Sequence, residues 1–366
     1  MDNQAAGRHP SSAAVEILKQ AREVSEKVGD DVSRFKIVRS LASAYRVGGY
    51  DQQKSRMLLE ELQGIAIRAA DAELVARARC ELAIASTFEG NFIAAVEEFN
   101  RVSKLPVGTR PFEAIDFWAT NSWTLFFLGY PERAQASNTR LLAIGREVTA
   151  SLGDLAMALS LSAHLSYLLR DPKTAASHSG QAVRLSHEHG FFMGTPALFV
   201  HGRALAQLGQ IEEGLSEMLR WQSHAKTAGA DPAYFTSVGI AEAYLAAGRP
   251  REGLEALSEG LELVQRTGTR INEVEMRRLK GELLLMGDKS TEAARCIGDA
   301  IEVARWQGAK SLELRATMSL ARLLTKQGRR DEARTMLAEI YNWFTEGFDT
   351  ADLKDAKALL EELKAL

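Results

Sequence analysis

The sequence predicts an all-α solenoid of about eight helix-turn-helix repeats with a capping helix at each end. Three observations predict it. A small residue recurs about every 40 positions, as Ala42, Ala83, Ser122, Ala163, Gly202, Ala241, Gly281 and Ala321. A second series follows 12 positions behind: Lys54, Ala95, Ala134, Ala175, Gly214, Gly253, Ala293 and Ala333, with only Lys54 out of character. Between the two falls a turn marker: Gly49, Gly90, Gly129, Arg170, Gly209, Gly248, Asp288 or Gly328. Self-similarity at a fixed period in this range marks units that stack on their neighbours.

Residues 1–10 are expected to be disordered. Ser12–Val28 reads as one amphipathic helix, with Val15, Ile17, Leu18, Ala21 and Val24 on its apolar face. It acts as half a repeat covering the first full one, because a solenoid end needs a cap with a polar outer face. The array then runs over residues 11–350. Its grammar is clearest from Tyr234 to Gly268. Val238, Ile240, Ala241, Tyr244 and Leu245 form one apolar stripe at helical spacing, which Gly248 ends. Pro250 opens the next helix, where its missing N–H does no harm, and Leu254, Leu257, Leu261 and Val264 carry the second stripe. The small residues lie where paired helices cross, because a bulky side chain there would push the axes beyond about 8–10 Å. The longest loop is expected over Ser103–Glu113, with Pro106 and Pro111. A second is expected over Gly190–Pro196, its Phe191 and Phe192 packing between repeats. A capping helix over residues 351–366 closes the array, N-capped by Asp349 or Thr350 and turning Leu353, Ala356, Leu359, Leu360 and Leu363 inward.

Composition excludes several classes of function. The net charge of −3 leaves no basic footprint for nucleic acid. No apolar run reaches the roughly 18 residues that span a membrane, and the N-terminus lacks the pattern of a signal peptide. Cys80 and Cys296 stand alone, outside any metal-ligand spacing, which fits a reducing cytoplasm.

The two small positions separated by a turn resemble the tetratricopeptide-repeat family, which has a small residue in its first helix and Ala in its second. The period here is about six residues longer than the family's usual one, which resembles its long-repeat, MalT-like branch in bacterial regulators. A second likeness covers Glu273–Leu363 and is most specific in YNWFTEGFDTADLKDAKALL. It is similar to the C-terminal region of bacterial nucleotide cyclase and STAND ATPase regulatory proteins. The resemblance implies a right-handed superhelix and a regulatory or sensing array. It does not bring the effector domains with it. The string GDKST at Gly287–Thr291 lacks the Gly-rich loop a phosphate site needs, and its place at a turn explains it. No cyclase metal-binding pair is recognisable.

The resemblance also implies which residues line the concave surface: those one after the small first-helix position, four before it, and three or four after it. The middle of the groove is then lined by Trp123, Phe126, His164, Tyr167, Phe199 and Arg203, followed by Glu242 and Glu282. The same registers contain Arg278, Met318 and Arg322. Aromatic walls with a few orienting polar groups suit a binding site. Arg203 suits a carboxylate or phosphate, and Trp123 or Tyr167 offers a ring for stacking. The same rings would equally fill the axis of a tightly wound coil.

Other constellations read as structural. His187 and His189 point to different faces of a helix end, where the dipole favours them, so no metal is expected. His201 faces its helix partner. Arg277, Arg278 and Lys280 read as a solvated face, with Arg278 the exception. An acid–base pair of His164 with Glu242 or Glu282 would span different repeats, too far apart for a direct dyad. The expectation is a non-catalytic, cofactor-free binding module. It would hold a protein or peptide segment, or a small-molecule signal, in its concave groove. A purely structural or oligomerising array, a fragment of a larger ATPase regulator, is the alternative.

Overall fold

The computed structural model describes residues 12–47, 51–102, 111–147, 150–190, 196–227 and 231–364. The expectations for residues 1–10, Gly49, most of the 103–113 loop, and Phe191 with Phe192 lie outside them. Eighteen helices and no strand occur among the described residues. Sixteen of these form eight antiparallel pairs: α2 and α3 (Asp31–Val47, Gln52–Arg68), α4 and α5 (Ala72–Phe88, Phe92–Val102), α6 and α7 (Pro111–Phe127, Pro131–Gly145), and α8 and α9 (Leu152–Leu168, Pro172–Glu188). The series continues with α10 and α11 (Ala197–Gln207, Ile211–Thr227), α12 and α13 (Ala233–Ala246, Pro250–Thr267), α14 and α15 (Glu273–Leu285, Ser290–Gln307), and α16 and α17 (Lys310–Lys326, Arg330–Tyr341). The flanking helices are α1 (Ser12–Val28) and α18 (Ala351–Lys364).

The turn inside each pair is built one way. The marker residue has positive φ at Gly90, Gly129, Arg170, Gly209, Gly248, Asp288 and Gly328. The next residue then donates its N–H back to the carbonyl five positions earlier, as in Asn91 to Ser86, Asp171 to Ser166 and Arg329 to Leu324 (2.8–2.9 Å). This αL turn satisfies carbonyls that the first helix leaves open. Glycine enters it at no steric cost, whereas Arg170 and Asp288 hold the same conformation against the Cβ penalty.

The small residues meet as the ladder requires. A Cβ added at Gly202 would sit 2.6 Å from the Gly214 carbonyl oxygen, and one at Gly214 would sit 2.4 Å from that of Gly202. Lys54 is the exception, and the reason is a shift of one residue. The connection between α2 and α3 is one residue longer than that between α4 and α5. Ser55 therefore takes the crossing position, buried and donating to the Ala42 carbonyl at 2.9 Å, and Lys54 points outward.

The coil is wound so tightly that it touches itself after four to five repeats. The carbonyls at the ends of α4, α6 and α8 receive donors from the chain stacked on them. Phe88 O accepts from Arg270 N (2.8 Å) and Ile271 N (3.1 Å). Phe126 O accepts from Ser311 Oγ (2.6 Å), and Leu168 O from the Arg315 guanidinium. Acceptor capacity left at the helix ends of one turn is thus filled by the next. A single apolar cluster fills the axis between them, running from Phe92 and Ile115 through Tyr167 and Tyr234 to Leu312 and Ala316.

Candidate functional site

Tight winding divides the predicted groove residues into two groups. Trp123, Phe126, His164, Phe199 and Arg203 are buried, with Trp123 and Phe126 in the axial cluster and Phe199 in a neighbouring one with Leu215, Met218 and Trp221 of α11. The Trp123 and His164 rings meet edge-on at 4.8 Å, and His164 lies 5.5 Å from Phe235. Phe199 packs on Phe235 at 5.0 Å and on Trp221 at 5.6 Å. Burial, and then the Arg203 charge, hold His164 well below the usual imidazole range. It is neutral here. Trp123 Nε1, His164 Nδ1 and Arg203 Nε have no hydrogen-bond partner among the described residues.

Arg203 joins this interior to the second group. Its guanidinium lies 3.5 Å from the centroid of the Tyr167 ring, a close cation–π arrangement. The Tyr167 hydroxyl donates to Glu242. Burial raises the Glu242 carboxyl, with Arg203 opposing, and burial likewise raises the Tyr167 phenol. The structure brings Tyr167, and not His164, to Glu242.

Tyr167, Glu242 and Glu282 face a cleft of about 260 Å³ on the inner side of repeats four to eight. Each first helix contributes: Gln207 from α10, Arg278 from α14, and Arg315, Met318, Ser319 and Arg322 from α16, with Asp352 and Asp355 of α18 closing the far side. Arg278 is the organising cation. It bonds Glu275 and Glu282 at 2.7 Å each, and Glu282 also accepts from Ser319 Oγ at 2.6 Å. Burial opposes the charge on Arg278, but Glu275 and Glu282 outweigh it and raise its pKa far above the guanidinium norm. Arg315 Nε binds Asp352 at 2.7 Å. Exposed Arg322 makes no ion pair among the described residues, so the cleft keeps one uncommitted cation.

Arg315, Asp352 and Asp355 fall outside the sequence-derived registers. Arg315 lies two helical turns before Arg322 on the same face, and extending the register by seven finds it. Asp352 and Asp355 carry no such signal, because α18 is off the repeat ladder. Of the remaining sequence readings, His201 packs on its helix partner, with Nδ1 2.7 Å from Glu217. No group of three or more potential metal ligands occurs among the described residues.

The family model for the MalT-like TPR region matches residues 157–360, more than half of the chain. The chain belongs to that family. No curated protein matches it in sequence. Among solved structures it is similar to a Rap protein complexed with competence and sporulation factor (11% identity, 90% of this chain and 97% of that one, TM-score 0.58). It also matches aspartyl phosphate phosphatase F from Bacillus subtilis (14%, 97% and 95%, TM-score 0.46). A third match is a STAND protein with a tetratricopeptide repeat sensor from Pyrococcus horikoshii (14%, 96% and 53%, TM-score 0.47). The likeness to the Rap protein shows the fold.

Proposed function

We propose that this member of the MalT-like TPR family is a non-catalytic binding module of a bacterial regulatory system, and that the charged cleft of repeats four to eight is its binding site. The observation that carries the reading is the cleft: acidic and basic side chains from four repeats and a cap converge on one concave space, with Gln207 the contribution of the fifth repeat. Its volume of about 260 Å³ lies just below the range of drug-sized ligand pockets, about 300–1,000 Å³, so it suits a few side chains of a peptide or protein segment better than a bulky signal molecule. The Rap structure, solved as a complex, supports a binding role for this fold. Glu242, Glu282 and Tyr167 would contact the segment directly. Trp123, Phe126, His164, Phe199 and Arg203 would hold the wall behind them. A cytoplasmic location belongs to the same proposal, resting on two cysteines that form no disulfide.

A peptide library displayed on phage tests this. Peptides enriched on the wild type should bind at least tenfold more weakly to Arg322→Glu, with unchanged circular dichroism. No enrichment over background, or equal binding by the variant, would refute the assignment.

One observation favours the structural alternative. On α1, Ile17, Val24 and Val28 share a face and are 65%, 60% and 72% exposed, an apolar stripe that suits association. Light scattering decides it: a monomer across a wide concentration range removes that alternative.

A further inference from the structure

The most specific stretch of the sequence, Tyr341–Leu360, does not line a repeat. It folds back on the turn of repeats three and four. Trp343 and Phe344 lie against Gly129, where an added Cβ would be 2.6 and 3.2 Å from their rings. Glu346 Oε1 accepts from the backbone N–H groups of Glu132 (2.9 Å) and Arg133 (3.2 Å), capping the start of α7, whose own N-cap Tyr130 makes no such bond. Gly347, at φ 77°, fits flat on Pro131. At the first turn of α18, Asp352 binds Arg315 at 2.7 Å and Arg170 at 3.3 Å, and Asp355 binds Arg170 at 2.6 Å.

Arg170 is the informative member. It stands where five of the seven described turns have glycine, and it keeps the left-handed backbone, φ 59°, that an L side chain adopts at a cost. Strain of this kind persists where the surrounding structure over-determines it, and here the side chain reaches the cleft and pairs with both cap aspartates. Arg315 reaches it from the other side and is also anchored by the Leu168 carbonyl. Two guanidiniums from repeats four and eight therefore converge on two carboxylates belonging to the cap.

We propose that Arg170 and Arg315 form an anion-binding site of the cleft, now filled by the chain's own Asp352 and Asp355 as an internal ligand, and that an acidic side chain of the bound segment takes it over. This deepens the binding reading above and rests on it for the identity of the cleft. The site already holds two carboxylates by charge-assisted bonds at 2.6–3.3 Å, which suits it to an acidic side chain of similar size. Displacement of the aspartates frees the first turn of α18, while Trp343 and Phe344 hold the rest of the segment in place. Binding of an acidic segment is thereby coupled to release of the cap.

The test uses the full chain with fluorescein-labelled hexaglutamate as probe and hexalysine as control, read by anisotropy. Asp352→Asn with Asp355→Asn removes the charge of the internal ligand at constant shape. This double variant should bind hexaglutamate at least tenfold more tightly than the wild type and hexalysine no better. Adding Arg170→Gln should cancel the gain. In the wild type, saturating hexaglutamate should speed amide exchange at the start of α18 and leave α12 and α13 unchanged. No gain in the double variant, or a gain that survives Arg170→Gln, overturns the proposal. If library peptides still bind the wild-type cleft in that case, the binding reading stands and the internal-ligand site alone falls. Should the double variant fail to fold, as circular dichroism would show, the wild-type exchange experiment decides: unchanged exchange at α18 overturns the proposal.

Discussion

The crossing of α10 and α11, set against an open position in α15, offers a test in which one of two chemically identical changes should stabilise and the other should not. Alanine is favoured over glycine in a helix interior by about 0.8–1 kcal/mol. At Gly298, within α15, an added Cβ meets nothing within 4 Å. Gly298→Ala should therefore stabilise by about that full amount. At Gly202 the same atom would lie 2.6 Å from the Gly214 carbonyl oxygen, 2.9 Å from Met218 Cγ and 3.1 Å from Glu217 Cβ. The oxygen is backbone and cannot rotate aside, so the two helices must separate. Overpacking of this kind costs about 1–3 kcal/mol, which cancels or exceeds the helix-propensity gain. The variants should differ by about 1–3 kcal/mol, with Gly202→Ala the weaker. Urea titrations followed by circular dichroism measure the difference. Long repeat arrays can unfold in parts, so amide exchange in α10–α11 and in α15 should accompany them. A Gly202→Ala variant as stable as Gly298→Ala would mean that the helices do not cross at the small residues, and the ladder reading would fall with it.

The buried imidazole predicts an acid response. The folded chain keeps His164 neutral, whereas the unfolded chain protonates it below about pH 6.5, so the unfolded state binds more protons and stability falls as the pH drops below that value. In urea titrations at pH 7.0 and 5.5, His164→Gln should lose about 1 kcal/mol less than the wild type; equal losses would place the histidine in water. Glu346→Ala removes the cap of α7 and should cost about 1 kcal/mol, seen as faster amide exchange at Glu132 and Arg133. Unchanged exchange there would show that Glu346 does not hold those amides. The Cys80 thiol is pushed up to about 12 by burial first and by Glu81 and Glu113 next. Its labelling by a disulfide reagent at pH 8 should be slower than in the urea-unfolded chain by about two orders of magnitude. Comparable rates would refute that environment.

What the sequence made legible follows from the range of each interaction. Contacts within a repeat and between neighbours recur with the period, so they leave a periodic trace: the crossings at Ala83 and Ala95 or at Gly202 and Gly214, and the positive φ at Gly209 and Gly248. One inserted residue between α2 and α3 was enough to blur that trace, which is why Ser55 hid behind Lys54. The pitch of the coil has no such trace. It is set by contacts between repeats four or five apart, and three of these use a backbone carbonyl on one side: Phe88 with Arg270 and Ile271, Phe126 with Ser311, Leu168 with Arg315. A backbone acceptor imposes no residue type on its position, so nothing in the sequence marks it.

The hidden pitch accounts for what became of the groove residues. A first-helix position keeps its side of the helix whatever the pitch: Trp123 joins the axial cluster with Tyr167, whereas Phe199 turns toward Trp221 of its own partner helix. Whether inward means toward solvent or toward the opposite wall depends on the winding alone. Where the coil completes a turn, the opposite wall arrives, and aromatic side chains lose their water to it. Ionic side chains resist the same closure, since an unpaired buried charge costs several kcal/mol. The inner surface therefore sorts by desolvation cost. Rings collect where the turns touch, and carboxylates and guanidiniums hold a gap open from Tyr167 to Arg322. On this argument the ionic cleft is a consequence of the winding: replacing Arg278, Glu275 and Glu282 together by leucine and methionine should close it, and a scattering profile unchanged by that substitution would show that something other than charge keeps the walls apart.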